Sequence, residues 1–136
     1  MPGATILVVE DEHIVARDIQ AMLEGLDYAT SIAISGEEAL QKAEELRPDL
    51  VLMDIVLRGR MDGVKVAAQM RDRFQIPVIY LTAYADEATV ERAKLTAPYG
   101  YILKPFEERE LHIAIQLALF RHKNEQKARA SCQSVS

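Results

Sequence analysis

The 136-residue chain predicts an α/β fold in which five parallel strands alternate with five helices in a three-layer sandwich. Three observations carry that expectation. The short apolar runs Ile6-Leu7-Val8-Val9, Leu50-Val51-Leu52-Met53, Val78-Ile79-Tyr80-Leu81 and Tyr101-Ile102-Leu103 lack polar alternation, as strands buried on both faces do. Between them the apolar spacing changes to the three-and-four rhythm of amphipathic helices. Each run also ends on residues suited to phosphoryl or metal chemistry: Glu10-Asp11, Asp54, Thr82 and Lys104. In an open parallel sheet the carboxyl ends of the strands share one edge, and ligands bind just outside it. Three carboxylates, a hydroxyl and an ammonium are therefore expected to converge there.

The elements follow in order. After the first strand, Ile14, Val15, Ile19, Met22, Leu23 and Leu26 mark one face of a helix, with Gly25 placed to help end it. Tyr28 to Ala33 reads as the second strand. Ser35-Gly36-Glu37-Glu38 is a capping-box pattern opening a helix whose inward positions are Leu40, Ala43 and Leu46, and Pro48 closes it before the third strand. Gly63 to Arg73 reads as a helix with Val66, Ala67 and Met70 inside, and Asp86 as the cap of another running to about Leu95. A last helix starts near Glu107. Its residues Leu111, Ile115 and Ala118 form one apolar stripe and Ile113, Leu117 and Phe120 another. The first stripe can pack under the sheet, leaving the second for a partner or a dimer. Residues 4–122 are expected to be one domain, and 123–136 a polar, helix-compatible tail or a linker to an output module.

Composition narrows the functional classes. With 49% hydrophobic and 27% charged residues the chain is neither disordered nor membrane-embedded, and no apolar run approaches the roughly 20 residues of a spanning helix. Met1-Pro2-Gly3-Ala4 carries no basic or apolar leader, and Cys132, the sole cysteine, cannot form an intramolecular disulfide. A cytoplasmic location is expected. A net charge of -5 argues against nucleic-acid or membrane binding by this domain and for protein partners.

ILVVEDE, LVLMD, MDG, YLTA and GYILKPF occur in the order and at the strand ends expected of one family, over roughly residues 4–122. The chain resembles a response-regulator receiver domain, the phosphoacceptor half of a two-component signalling pair. The resemblance implies a flavodoxin-like fold with strand order 2-1-3-4-5 and phosphorylation of Asp54 by a sensor histidine kinase or phosphotransfer protein. It implies Mg²⁺, or Mn²⁺, bound by Asp11, Asp54 and the Val56 backbone carbonyl, with Glu10 holding a metal-bound water. It also implies a cis peptide before Pro105 that aims Lys104 at the site. Tyr101 would be the aromatic that moves with Thr82 when the phosphoryl group arrives.

The chemistry has its own logic. A carboxylate attacks a phosphorylated donor poorly because both are anionic, and a hard divalent cation offsets the repulsion. Lys104 offers a positive charge to one phosphoryl oxygen and the Thr82 hydroxyl a hydrogen bond to another, while Ala83 is small enough to leave Asp54 accessible. Taken singly these residues are ordinary: strand-end acids form turns and caps, and isolated Thr and Lys are structural or solvated. Taken jointly they are not. His13, His112 and His122 show no metal-ligand spacing.

Two departures from the family pattern stand out. The loop from Val56 to Gly63 is one residue longer than usual and lacks a proline, and Thr96-Ala97-Pro98-Tyr99 puts a proline and a bulky tyrosine before the last strand. Val56 and Tyr84 offer no group to orient a hydrolytic water, so the phosphoryl group is expected to be long-lived. Two other classes compete with a phosphorylated receiver. A pseudo-receiver acting only as a docking module would normally lack Asp54 or Lys104. A phosphohydrolase of the haloacid-dehalogenase type needs an acid where Val56 stands.

Overall fold

The computed structural model describes residues 3–55, 57, 62–82 and 87–135, with the backbone alone at 87, 89 and 129–135. The strands are β1 (Thr5–Val9), β2 (Ala29–Ala33), β3 (Leu50–Asp54), β4 (Val78–Thr82) and β5 (Gly100–Leu103). They alternate with α1 (His13–Gly25), α2 (Gly36–Leu46), α3 (Gly63–Gln69, continued by a π-helical turn Met70–Phe74), α4 (Glu87–Lys94) and α5 (Glu108–Val135). All strand pairs are parallel, in the order β2-β1-β3-β4-β5. This is the flavodoxin-like order expected.

Alternate residues of each buried strand enter opposite cores. Leu7, Val9, Val51, Met53, Val78 and Tyr80 pack with Ala43 of α2, Val66 and Ala67 of α3, and Ala93 of α4. Ile6, Val8, Leu50, Leu52, Ile79 and Leu81 pack with Ile19 and Leu23 of α1 and Leu111 and Ile115 of α5. Burial on both faces explains why these strands are continuous apolar runs. The register pairs Val9 with Met53, Asp54 with Leu81 and Thr82 with Leu103, so the strands finish nearly level. The polar residues that follow are thus delivered to one edge.

Local chemistry sets the helix ends. Ser35 accepts from the Glu38 amide at 3.1 Å, and Glu38 reaches back to the Ile34 amide at 3.3 Å, so the capping box forms with its return bond one residue early. Asp62 caps α3 by accepting from the Lys65 amide at 2.9 Å. The proposed cap of α4, Asp86, lies outside the described residues. The left-handed residue after α1 is Asp27 (φ 69°), with Gly25 still helical; Arg47 (φ 47°) plays the same part after α2.

The inward faces need two corrections. Ile14 is exposed: at about 100° per residue it lies roughly 160° round the helix from buried Ala16. Leu46, in the last turn of α2, is also exposed, and buried Ala39 joins Ala43 on the inner face. The segment 123–135, expected to be polar and helix-compatible, continues α5 without a break. On that helix Leu111, Ile115 and Ala118 are buried, while Leu117 and Phe120 are 63% and 64% exposed, with Ile113 beside them. Among the described residues no helix is long and apolar enough to cross a membrane.

Candidate functional site

The site grows out of the sheet's carboxyl edge. Glu10 follows β1, is fully buried, and donates its backbone N–H to the Ala33 carbonyl at 3.0 Å; half-buried Asp11 comes next. Asp54 ends β3 and Thr82 ends β4, both buried. Lys104 follows β5 and its backbone N–H donates to the Thr82 carbonyl at 2.8 Å, extending the ladder by one rung. The Lys104–Pro105 peptide is cis, as the resemblance implied.

The carboxylates meet. Glu10, Asp11 and Asp54 each bring an oxygen within 4.8 Å of the other two. Lys104 Nζ lies 2.8 Å from Glu10 Oε2 and 3.6 Å from Asp54 Oδ2. Among the described residues the Lys104 ammonium thus reaches two of the three carboxylates. Burial is the main force raising the Glu10 carboxyl to about 7; Lys104 pulls it down and the Asp54 charge pushes it up. Burial tends to lower the Lys104 ammonium, but the Glu10 bond and the Asp54 charge outweigh it and raise it. An all-oxygen set of three converging carboxylates fits Mg²⁺ or Mn²⁺, hard cations that take a few carboxylates and keep open positions for substrate oxygens.

Thr82 adds a second sign. Its Oγ1 is buried and has no hydrogen-bond partner among the described residues. An orphaned buried hydroxyl costs about 1–3 kcal/mol and calls for a reason.

Tyr101, on edge strand β5, is 42% exposed and its ring stacks on Tyr80 at 5.7 Å. The Val56 carbonyl lies outside the described residues, as do Ala83, Tyr84 and most of the loop between Val56 and Asp62. Two further residues shape the start of α3, which packs against Asp54. Gly63 packs so closely that a Cβ there would stand 2.2 Å from the Asp54 carbonyl oxygen, so the start of α3 and the backbone of Asp54 form one unit. Arg92 of α4 pairs with Asp62 at 2.9 Å and, with the Lys65 amide, holds the Asp62 carboxyl below its ordinary value despite partial burial. The MDG run drew attention to Gly63; no local pattern marks Arg92, whose partner is 30 residues away.

A family model described as "Response regulator receiver domain" matches residues 6–116. The chain belongs to the response-regulator receiver domain family. This receiver domain is 35% identical over 120 residues to the DNA-binding response regulator MtrA of Mycolicibacterium smegmatis, covering 88% of this chain and 52% of that protein. It is 36% identical over 117 residues to the transcriptional regulatory protein PdtaR of Mycobacterium tuberculosis, covering 85% and 57%. The chain thus spans about half the length of the curated relatives it matches. Among solved structures, the signal receiver domain of a modulated diguanylate cyclase from Desulfovibrio desulfuricans G20 superposes with a TM-score of 0.88 at 38% identity, over 90% of this chain and 98% of that one. The acidic pocket of Glu10, Asp11 and Asp54 fits the phosphoacceptor site of a receiver, a signalling domain of two-component systems.

Proposed function

We propose that this receiver takes a phosphoryl group onto Asp54 from a phosphohistidine of a sensor kinase or phosphotransfer protein. An Asp54 carboxylate oxygen attacks phosphorus, the P–N bond to the donor imidazole breaks, and the imidazole leaves with a proton from solvent. Glu10, Asp11, Asp54 and the Val56 backbone carbonyl would hold Mg²⁺, directly or through water in the case of Glu10, and the bound cation neutralises charge on the phosphoryl oxygens. Lys104 donates to one phosphoryl oxygen and Thr82 to another. The only chemistry is self-catalysed, transfer to Asp54 and slow hydrolysis from it. The observation that carries the reading is the unpartnered, buried Thr82 hydroxyl at the edge where the acidic cluster sits.

Incubation with a small phosphodonor and Mg²⁺ should add one phosphoryl mass. Asp54→Asn, or excess chelator, should abolish the addition. Undiminished labelling in either would overturn the assignment.

Readout follows from the same hydroxyl. When Thr82 turns to the phosphoryl oxygen it vacates space, and Tyr101 swings from its exposed position to fill it, changing the face made by α4, β5 and α5. Residues 4–122 act as the receiver, in the cytoplasm, and 123–136 carry its state onward. Partners are proteins, with a second copy on the Ile113, Leu117 and Phe120 stripe, since removing apolar area from water is worth roughly 25 cal/mol per Å². Sedimentation with and without a beryllofluoride phosphoryl mimic checks this. Identical monomeric profiles at high concentration count against the dimer.

A further inference from the structure

The bulky tyrosine at position 99 belongs to an arrangement at the edge of the sheet opposite the acidic cluster. Its backbone N–H donates to the Val78 carbonyl at 2.8 Å, so the start of β4 fixes its position. Its side chain reaches α5. The hydroxyl contacts the Glu125 carboxylate and lies 3.2 Å from His122 Nδ1. The His122 ring meets the tyrosine ring edge-on at 5.8 Å, and the Arg121 guanidinium lies 4.8 Å from the ring centroid.

A phenol has one proton to donate. With that proton on the bond to Glu125, His122 must donate from Nδ1–H, which leaves its Nε2 to accept from the Gln126 amide at 3.5 Å. This tautomer, assigned from the network, accounts for all three contacts at once.

Elsewhere this part of α5 is poorly seated. The buried stripe of α5 ends at Ala118, with Leu119 partly buried beside it. Beyond that point, cavities of about 290, 500 and 270 Å³ open around the helix, and His122 and Gln126 line all three. A helix that bridges gaps depends on whatever posts it has. Tyr99 is such a post, and it stands one residue before β5, the strand that carries Tyr101 and leads into Lys104. At about 3.3 Å per residue, the strand links Tyr99 to the acidic cluster over roughly 16 Å.

We propose that Tyr99 is a tether that fixes the direction in which α5 leaves the sheet and passes displacement of β5 to residues 121–128. The tether itself is independent of phosphorylation; only the source of the displacement rests on the reading of Asp54 as acceptor.

Hydrogen exchange of the full chain tests both halves. Tyr99→Phe keeps the ring against Arg121 and His122 and removes the hydroxyl contacts; Tyr99→Ala removes both. Exchange of amides 121–128 should rise at least roughly 2- to 10-fold in the Phe variant, the range for losing one of its two hydrogen bonds, and further in the Ala variant. Amides 111–118 should be unchanged. Unaltered exchange at 121–128 in the Ala variant overturns the tether. Adding beryllofluoride with Mg²⁺ should alter exchange at 121–128 in the wild type and not in Tyr99→Ala. If amides 82 and 101 respond while 121–128 do not, the transmission is wrong. If 82 and 101 do not respond either, the acceptor reading fails while the tether is still judged by the variants alone.

Discussion

Thr82 shows how one atom can weigh against stability and for function. Its hydroxyl is held in the interior without a partner among the described residues, which costs the resting protein free energy. Thr82→Val removes the orphan and nearly keeps the shape. The variant should be more stable by about 1 kcal/mol, seen as a rise of a few degrees in Tm, yet bind beryllofluoride more weakly than the wild type. A less stable variant, or one that binds the mimic equally well, would show that Thr82 is merely structural. The residues of this site were legible because each lies just past an apolar run, where parallel topology leaves no choice of edge. Ile14 was misread because a helix of 13 residues has room for an apolar residue on its outer face, and spacing alone does not say which residues sit over the sheet. Gly63 has no side chain to announce a role, and its contact with Asp54 appears only once the two backbones are brought together.

Among the elements, β4 is joined by a buried hydrogen bond to the turn that follows α4. Thr96 Oγ1 gives its proton to the Ala93 carbonyl at 2.6 Å, so Tyr80 must be the donor in the 2.7 Å contact between the two hydroxyls. Burial pushes the Tyr80 phenol up to about 12. A folded-state value above that of the unfolded chain means stability is fully present below about pH 10 and is lost as pH rises through about 12. Tyr80→Phe should cost roughly 0.5–1.5 kcal/mol at neutral pH and flatten the alkaline decline by up to about 1.4 kcal/mol per pH unit. Tyr28 and Tyr101, also raised by burial, leave some slope behind. Urea midpoints at pH 8, 10 and 11 measure this; an equal fall in wild type and variant would assign the slope to other groups. The strands and the starts of α2, α3 and α4 could be read from runs and caps. The course of α5 beyond residue 122 could not, because its polar composition suits a solvated tail as well as a helix, and the contacts of Tyr99 are made across 23 and 26 residues.

For the whole molecule, the acidic edge gathers three carboxylates whose mutual repulsion a bound cation would relieve. Mg²⁺ at about 100 times its dissociation constant should stabilise the fold by about 2.7 kcal/mol. Asp54→Asn should be more stable than the wild type without metal and should gain much less from Mg²⁺. Thermal unfolding in chelator and in Mg²⁺ compares the two, and equal gains would remove Asp54 from the cation site. The order of the strands was legible only through the family resemblance; alternation of strands and helices fixes three layers but permits several windings. What the runs did establish was that the ends share an edge, and this sufficed to assemble Glu10, Asp11, Asp54 and Lys104 on paper.

Strand β5 lies at the margin of the sheet and hydrogen-bonds to β4 alone. Synthesis proceeds from the amino terminus, so the ribosome releases all three acids well before the lysine that faces them. Any arrangement of β1 to β4 that brings the three carboxylates together before β5 docks does so without the Lys104 ammonium. The last strand to be made therefore closes the site electrostatically as well as structurally, by setting Lys104 against Glu10 and Asp54.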